Sequence, residues 1–182
     1  MWDRIRIQPW ERDVAADPNT PAPSALDPTD RIAIADLFSR YAFHFDRNEP
    51  ELVAELFTGD ALVDYGPEFP PIQGRESVAD RIRPGLDDIF EATSHHISNV
   101  MIDPTSTDRA TAIAYVYAWH RYRDGSPDGH LWGQYHAIAH RISDAWRFAA
   151  FRLEIVAVTD FHRERMHSVH RRSAPNPAAT RD

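Results

Sequence analysis

Residues 93–103 read TSHHISNVMID, and they mark the point where the character of the chain changes. They begin the first of four apolar and aromatic segments. RATAIAYVYAWHRYR (109–123), HLWGQYHAIAHRIS (130–143) and AWRFAAFRLEIVAV (145–158) follow. Turn-rich pieces such as DPTSTD (103–108) and RDGSPDG (123–129) separate them. Each segment suits a long strand, and short connections between consecutive strands predict an antiparallel meander. Side chains of a strand alternate between its two faces. His95 and His96 therefore point in opposite directions, one into the fold and one out of it.

Upstream of residue 93 the pattern is helical. DPTDRIAIADLFSRYAFHFDRNEPELVAELF (27–57) places Ile34, Leu37, Phe38, Tyr41 and Phe45 on one apolar stripe, with Thr29 or Asp30 as the expected cap. Pro50 suits the first turn of a second short helix. DALVDYGP (60–67) reads as a short strand ending at Gly66-Pro67, and GRESVADRIRPGLDDIF (74–90) as a helix interrupted at Pro84. Two helices, a strand, a helix and then four strands predict an α+β fold. We expect a cone-shaped α+β barrel: a curved, mostly antiparallel sheet wrapped around the N-terminal helices, with an internal pocket. Residues 1–27, with DPNTPAPSALDP (17–28), read as a Pro-rich arm that Trp2, Ile5, Ile7 and Trp10 could anchor. Residues 28–158 form the domain. Residues 159–182 are expected to form a C-terminal helix and tail, with Phe161, Met166 and Val169 as an inward edge closing the pocket mouth.

The composition removes several chemistries. All 20 basic residues are arginine, against 28 acidic ones, and the net charge is −8. Without lysine there is no Schiff-base chemistry and no phosphate-binding lysine loop. Without cysteine there is no thiol catalysis or disulfide. An acidic chain lacking a basic stripe argues against nucleic acid as partner. No stretch has the length of a membrane span, and MWDRIRIQPW (1–10) lacks the apolar run of a signal peptide, so a cytoplasmic location is expected.

Few polar groups can point into an apolar pocket unless they are paired. Asp46 closes the first helix, Tyr65 ends the first strand, one of His95 and His96 faces inward, and His120 lies near the end of the third strand. Trp119 and Trp132, with Phe69 and Phe151, are aromatic candidates for the pocket wall, with their directions left open. His136 and His140 stand four apart, which suits a metal on a helix but not on a strand, so no metal site is expected. His162, His167 and His170 read as solvated tail residues.

Residues 28–157 resemble the SnoaL-like branch of the nuclear transport factor 2-like superfamily. The likeness is strongest to scytalone dehydratase and the bile-acid 7α-dehydratase. It is carried by DLFSRYAFHFDRNEPELVAELFTGDALVDYG (36–66), by the Thr-x-His-x-x-x-Asn pattern in TSHHISNV (93–100), and by Trp-x-Phe in AWRFAAFRLE (145–154). The resemblance implies that His95 is the inward histidine, paired with Asp46, with Tyr65 and His120 completing the set. Tyr41 matches the tyrosine of the bile-acid enzyme. Phe45 stands where scytalone dehydratase has an additional tyrosine. Gly133 and Tyr135 replace that enzyme's Ser and Asn on the fourth strand, which implies a different substrate. Asn99 closes the Thr-x-His pattern. Catalytic roles are thus expected for His95, Asp46, Tyr65, Tyr41 and His120, and substrate contacts for Phe45, Trp119, Trp132, Tyr135 and Asn99.

Removing a proton beside a carbonyl and expelling a β-hydroxyl needs a base, a donor for the enolate oxygen and a proton for the leaving group. Imidazole oriented by a carboxylate, with a tyrosine hydroxyl, meets that need without metal or cofactor. The reading is therefore a cofactor-independent dehydratase for a small hydrophobic cyclic or polycyclic hydroxy-carbonyl compound. An isomerase or polyketide-type cyclase using the same pocket, and a non-catalytic binding or assembly module, are the alternatives. Tyr115, Tyr117 and Trp119 share one face of their strand, which predicts that a second subunit covers the sheet in a homodimer or homotrimer.

Overall fold

The computed structural model describes residues 26–170. The aromatic anchors proposed for the arm and the tail beyond residue 170 lie outside them. Helix α1 (Pro28–Asp46) starts at Asp27, whose carboxylate accepts hydrogen bonds from the backbone amides of Thr29 and Asp30, with Pro28 as the first helical residue. Neither Thr29 nor Asp30 is the cap. Asp30 instead accepts a 3.0 Å bond from the indole of Trp146 and pairs with Arg141, fixing the helix start against the sheet. Ile34, Leu37, Phe38, Tyr41 and Ala42 form the buried stripe. Helix α2 (Pro50–Ala54) leads into strand β1 (Phe57–Asp64). A two-residue strand β2 (Ile72–Gln73) precedes helix α3 (Arg75–Pro84), which ends in a π-turn at Gly85–Ile89.

Strands β3 (Phe90–Pro104), β4 (Arg109–Tyr122), β5 (Gly129–Ile142) and β6 (Ala145–Thr159) form the expected antiparallel meander. The whole is one mixed six-stranded sheet, ordered β2-β1-β6-β5-β4-β3, in which β1 runs parallel to β6. The sheet is open and curls around α1, so the architecture is α+β, as expected. Bulges interrupt the register of β3 between Ser98 and Met101, and that of the β5–β6 pair at Trp132/Gly133. Bulges bend strands and increase twist, which helps strands this long to close over a helix. At Gly133 a Cβ would sit 2.5 Å from the Glu154 carbonyl oxygen. That close approach explains why no larger side chain stands there.

The inner face of β4 carries Ala110, Ala112, Ala114, Val116, Ala118 and His120, all buried. Small side chains leave space between this strand and α1, whose close approaches are to β3 and β6. Around Tyr41 an aromatic cluster fills the cone: ring centroids lie 4.8 Å apart for Tyr41–Phe151, 4.6 Å for Tyr135–Phe151 and 5.0 Å for Phe38–Phe148. No helix among the described residues is long and apolar enough to cross a membrane.

The described residues after β6, 160–170, are not helical, contrary to the sequence expectation for that stretch. The segment leaves the sheet at Asp160, where φ is 48°, and returns to pair with β6: the Ile155 amide donates to the His167 carbonyl and the Val169 amide to the Ile155 carbonyl, each at 2.8 Å. Met166 packs beneath Gly66, a residue at φ 136° with no Cβ to obstruct it. Its weak amphipathic pattern comes from alternation between sheet contact and solvent, and not from a helical face.

Candidate active site

Where α1 ends, the curled sheet and α3 enclose a cavity of about 320 Å³. Tyr41, Phe45, Tyr65, His95, His120 and Tyr135 all line it. His95 is the inward histidine, its side chain 5 % exposed. His96 lies on the outer face, exposed, beside Ser94 and the Tyr117 ring.

Asp46, the last residue of α1, has a side chain 23 % exposed and organises three groups of β3. Its Oδ1 lies 2.6 Å from His95 Nδ1 and accepts a 2.8 Å bond from the Thr93 hydroxyl. Its Oδ2 accepts a 2.8 Å bond from the His95 amide. Thr93 and His95 are two apart on one strand face, so a single carboxylate reaches both. Thr93 was overlooked as a site residue in the sequence, although the same alternation placed it beside His95. Burial works against the Asp46 carboxylate, but the bonds and charge of His95, with Thr93, outweigh it and hold the carboxyl below its usual range. A carboxylate on Nδ1 fixes the tautomer that carries its proton there, leaving the Nε2 lone pair for the cavity.

The rings of His95 and His120 meet edge to face, with centroids 5.4 Å apart, and Phe45 packs 4.9 Å from His95. His120 is 4 % exposed and its Nδ1 has no hydrogen-bond partner. Burial among Phe90 and Phe161, helped by the neighbouring histidines, pushes its pKa down to about 3. His120 is thus a neutral ring in the cavity wall.

The Tyr41 hydroxyl donates to the Tyr65 hydroxyl at 2.9 Å, which leaves the Tyr65 proton for a further acceptor. Burial pushes Tyr65 up to about 12, and raises Tyr41 and Tyr135 well above the ordinary tyrosine value. All three keep their protons at neutral pH and act as donors.

Trp119, Trp132 and Asn99 do not line the cavity. Trp119 is one residue from inward His120, so it faces out, and its indole donates to Asp128 at 3.0 Å. Trp132 sits on the outer face opposite Tyr117, exposed. Strict alternation from His95 would turn Asn99 inward, but the bulge of β3 intervenes. Asn99 takes φ 49° there and is exposed, and Val100 and Ile102 resume the inner face. Two of the supposed tail histidines also have partners. His167 pairs with Asp64 at 2.8 Å, and His162 lines the cavity with Phe161 and Arg163.

An α+β cone with a carboxylate-held histidine over an aromatic cavity has the groups that proton transfer requires. Residues 27–152 match the SnoaL-like domain, and the chain belongs to that family. A solved candidate scytalone dehydratase from Novosphingobium aromaticivorans is 34 % identical, covers 80 % of this chain and 96 % of its own, and superposes with a TM-score of 0.75. A candidate aromatic ring hydroxylase from the same organism is 22 % identical over 74 % of this chain and 95 % of its own, with a TM-score of 0.69. The hexachlorocyclohexane dehydrochlorinase LinA-type3 from Novosphingobium barchaimii is 19 % identical over 79 % and 96 %, with a TM-score of 0.66. The last two show the shared fold. No match is found among curated proteins.

Proposed function

We propose that this protein is a cofactor-independent lyase that eliminates water from a small cyclic or polycyclic hydroxy-carbonyl compound. The observation that carries this reading is the Asp46–His95 pair, with Nδ1 held at 2.6 Å and the other ring nitrogen left to an aromatic cavity. A module that only binds or assembles has no use for a carboxylate and imidazole paired in its cavity. The likeness to a candidate scytalone dehydratase supports the same class.

In this reading His95 Nε2 takes the proton α to the carbonyl. The electron pair moves onto the carbonyl oxygen, where Tyr65, itself a hydrogen-bond acceptor from Tyr41, donates to the developing enolate. Asp46 stabilises the imidazolium. The enolate then re-forms the carbonyl, the bond to the β-hydroxyl breaks, and His95 returns its proton to the departing oxygen as water. His120, neutral throughout, lines the cavity and helps to position the substrate.

Proton removal can be tested without the natural substrate. In D2O, the α-protons of 2-tetralone should exchange faster with the protein than with buffer, followed by NMR. His95→Gln should slow that exchange by roughly a hundredfold. Exchange unchanged by His95→Gln would reject His95 as the base.

A further inference from the structure

The mechanism leaves two cavity-lining cations without a task. Arg163, delivered by the segment after β6, is half-buried, and one of its guanidinium nitrogens donates to the Tyr65 carbonyl at 3.0 Å. Its guanidinium lies 5.4 Å from the Phe69 ring centroid, and that of Arg81, from α3, lies 4.1 Å from the same ring. No carboxylate of the described residues lies within ion-pair distance of either one, although Glu68 attracts Arg163 from further off. Glu68, the nearby acid at the rim, uses one oxygen to accept from the Glu164 and Arg165 amides at 2.8 and 2.9 Å, which holds the turn that carries Arg163. His162 shares this rim. A guanidinium drawn out of water without an ion pair is costly unless something complementary completes it.

We infer that this mouth is an anion subsite, in which Arg163, flanked by Arg81 across the Phe69 ring, takes a carboxylate carried by the substrate. Arginine's planar fork suits a carboxylate. His95 stands on β3 at one margin of the curled sheet, and Arg163 is perched on the end of β1 near the other. A cyclic acid spanning the cavity would present its carbonyl to His95 and Tyr65 and its carboxylate to the mouth. The inference rests on the reading of the cavity as a substrate site and narrows its substrate to an acid.

Two flat probes of equal size separate charge from shape: 2-naphthoate and 2-naphthamide, titrated into the full chain and followed by the ring signals of His95 and His120. The naphthoate should bind about tenfold more tightly, a difference of about 1.4 kcal/mol. Arg163→Gln should abolish the preference by weakening the naphthoate more than the amide, and Arg163→Lys should keep part of it. Raised salt should narrow the gap, because the mouth is open to solvent. Equal binding of both probes by the unaltered protein, or a preference that survives Arg163→Gln combined with Arg81→Gln, overturns the anion subsite and leaves the dyad untouched. If neither probe moves the His95 and His120 signals, the cavity is not a substrate site, and both readings fall.

Discussion

Replacing His120 with Gln tests the electrostatics of the cavity without any ligand. In the folded protein the ring is 4 % exposed among aromatic side chains, and its pKa is lowered to about 3. In the unfolded chain it takes the ordinary value of about 6.5. Between those values the unfolded state binds the extra proton, so stability must rise with pH across that window. The contribution is fully present above about pH 6.5 and is lost as pH falls towards the folded value. At about pH 5 the unfolded ring is almost wholly protonated and the folded ring is neutral, a loss of about 2 kcal/mol relative to pH 8. The figure hardly depends on how low the folded value lies once it is below about pH 4. Asp46 does not blur the window. Its carboxyl is held low, so its own contribution is lost only as pH falls below about 4. Urea unfolding at about pH 8 and about pH 5, with the unaltered protein and His120→Gln side by side, measures the effect as a double difference, which cancels the histidines that His120 does not touch. The unaltered protein should lose about 2 kcal/mol more than the variant on acidification. Identical pH dependence in the two would mean that His120 charges freely when folded, and the dry cavity wall inferred here would be refuted.

Asp46→Asn leaves shape and removes charge. An amide nitrogen facing the His95 amide sets donor against donor, and flipped, it faces Nδ1 and forces the proton onto Nε2, where it blocks the base. We expect α-proton exchange to fall on the order of a thousandfold, and urea unfolding to show a loss of about 1–3 kcal/mol. A chain ending at Thr159 loses Phe161 and Arg163 from the cavity wall and should bind 2-naphthoate at least about tenfold more weakly while keeping its far-ultraviolet dichroism. Unchanged affinity would assign the segment a structural role only. On the outer face Met101, Tyr115 and Trp132 are exposed apolar side chains on neighbouring strands, which supports a homodimer or homotrimer built on that face. Light scattering that returns the 20.8 kDa mass of one chain at micromolar concentration would sink that expectation.

Helix, turn and strand signals were legible in this chain because they are local. The Ile34-to-Phe45 stripe, the Pro50 start and the four long strands each state their period within a dozen residues. The order of elements then left few ways to bury the apolar faces. The cap was missed by two or three residues because Asp27, Thr29 and Asp30 are all competent, and only the contact of Asp30 with Trp146 on β6 takes it out of contention. The tail was misread for a related reason. A segment of mixed pattern has no decided period of its own, and here pairing with β6 decides it.

The site divides along the same line. Alternation alone made His95 and His96 exclusive choices, and the end of α1 set Asp46 within reach of one of them. A strand carries such logic only while its register is unbroken. Asn99 lies four residues beyond His95 and would have shared its face, but the bulge between Ser98 and Met101 turns it out. Trp119 and Trp132 show the limit of hydrophobicity as a guide, since a pocket-lined sheet has two faces and large aromatics suit both. The mouth was the least legible part. Arg81, Phe69 and Arg163 come from α3, a loop and a returning segment, brought together only by the way the ends of the sheet close. That difference has a functional consequence. In the proposed reading the chemistry rests on α1 and β3, whose register is fixed by many contacts, so the Asp46–His95 pair can be held to one geometry. Selection of the substrate, in the same reading, rests on the mouth. In a site built this way, specificity can shift at Arg81, Phe69 and Arg163 while the proton-transfer machinery stays in place.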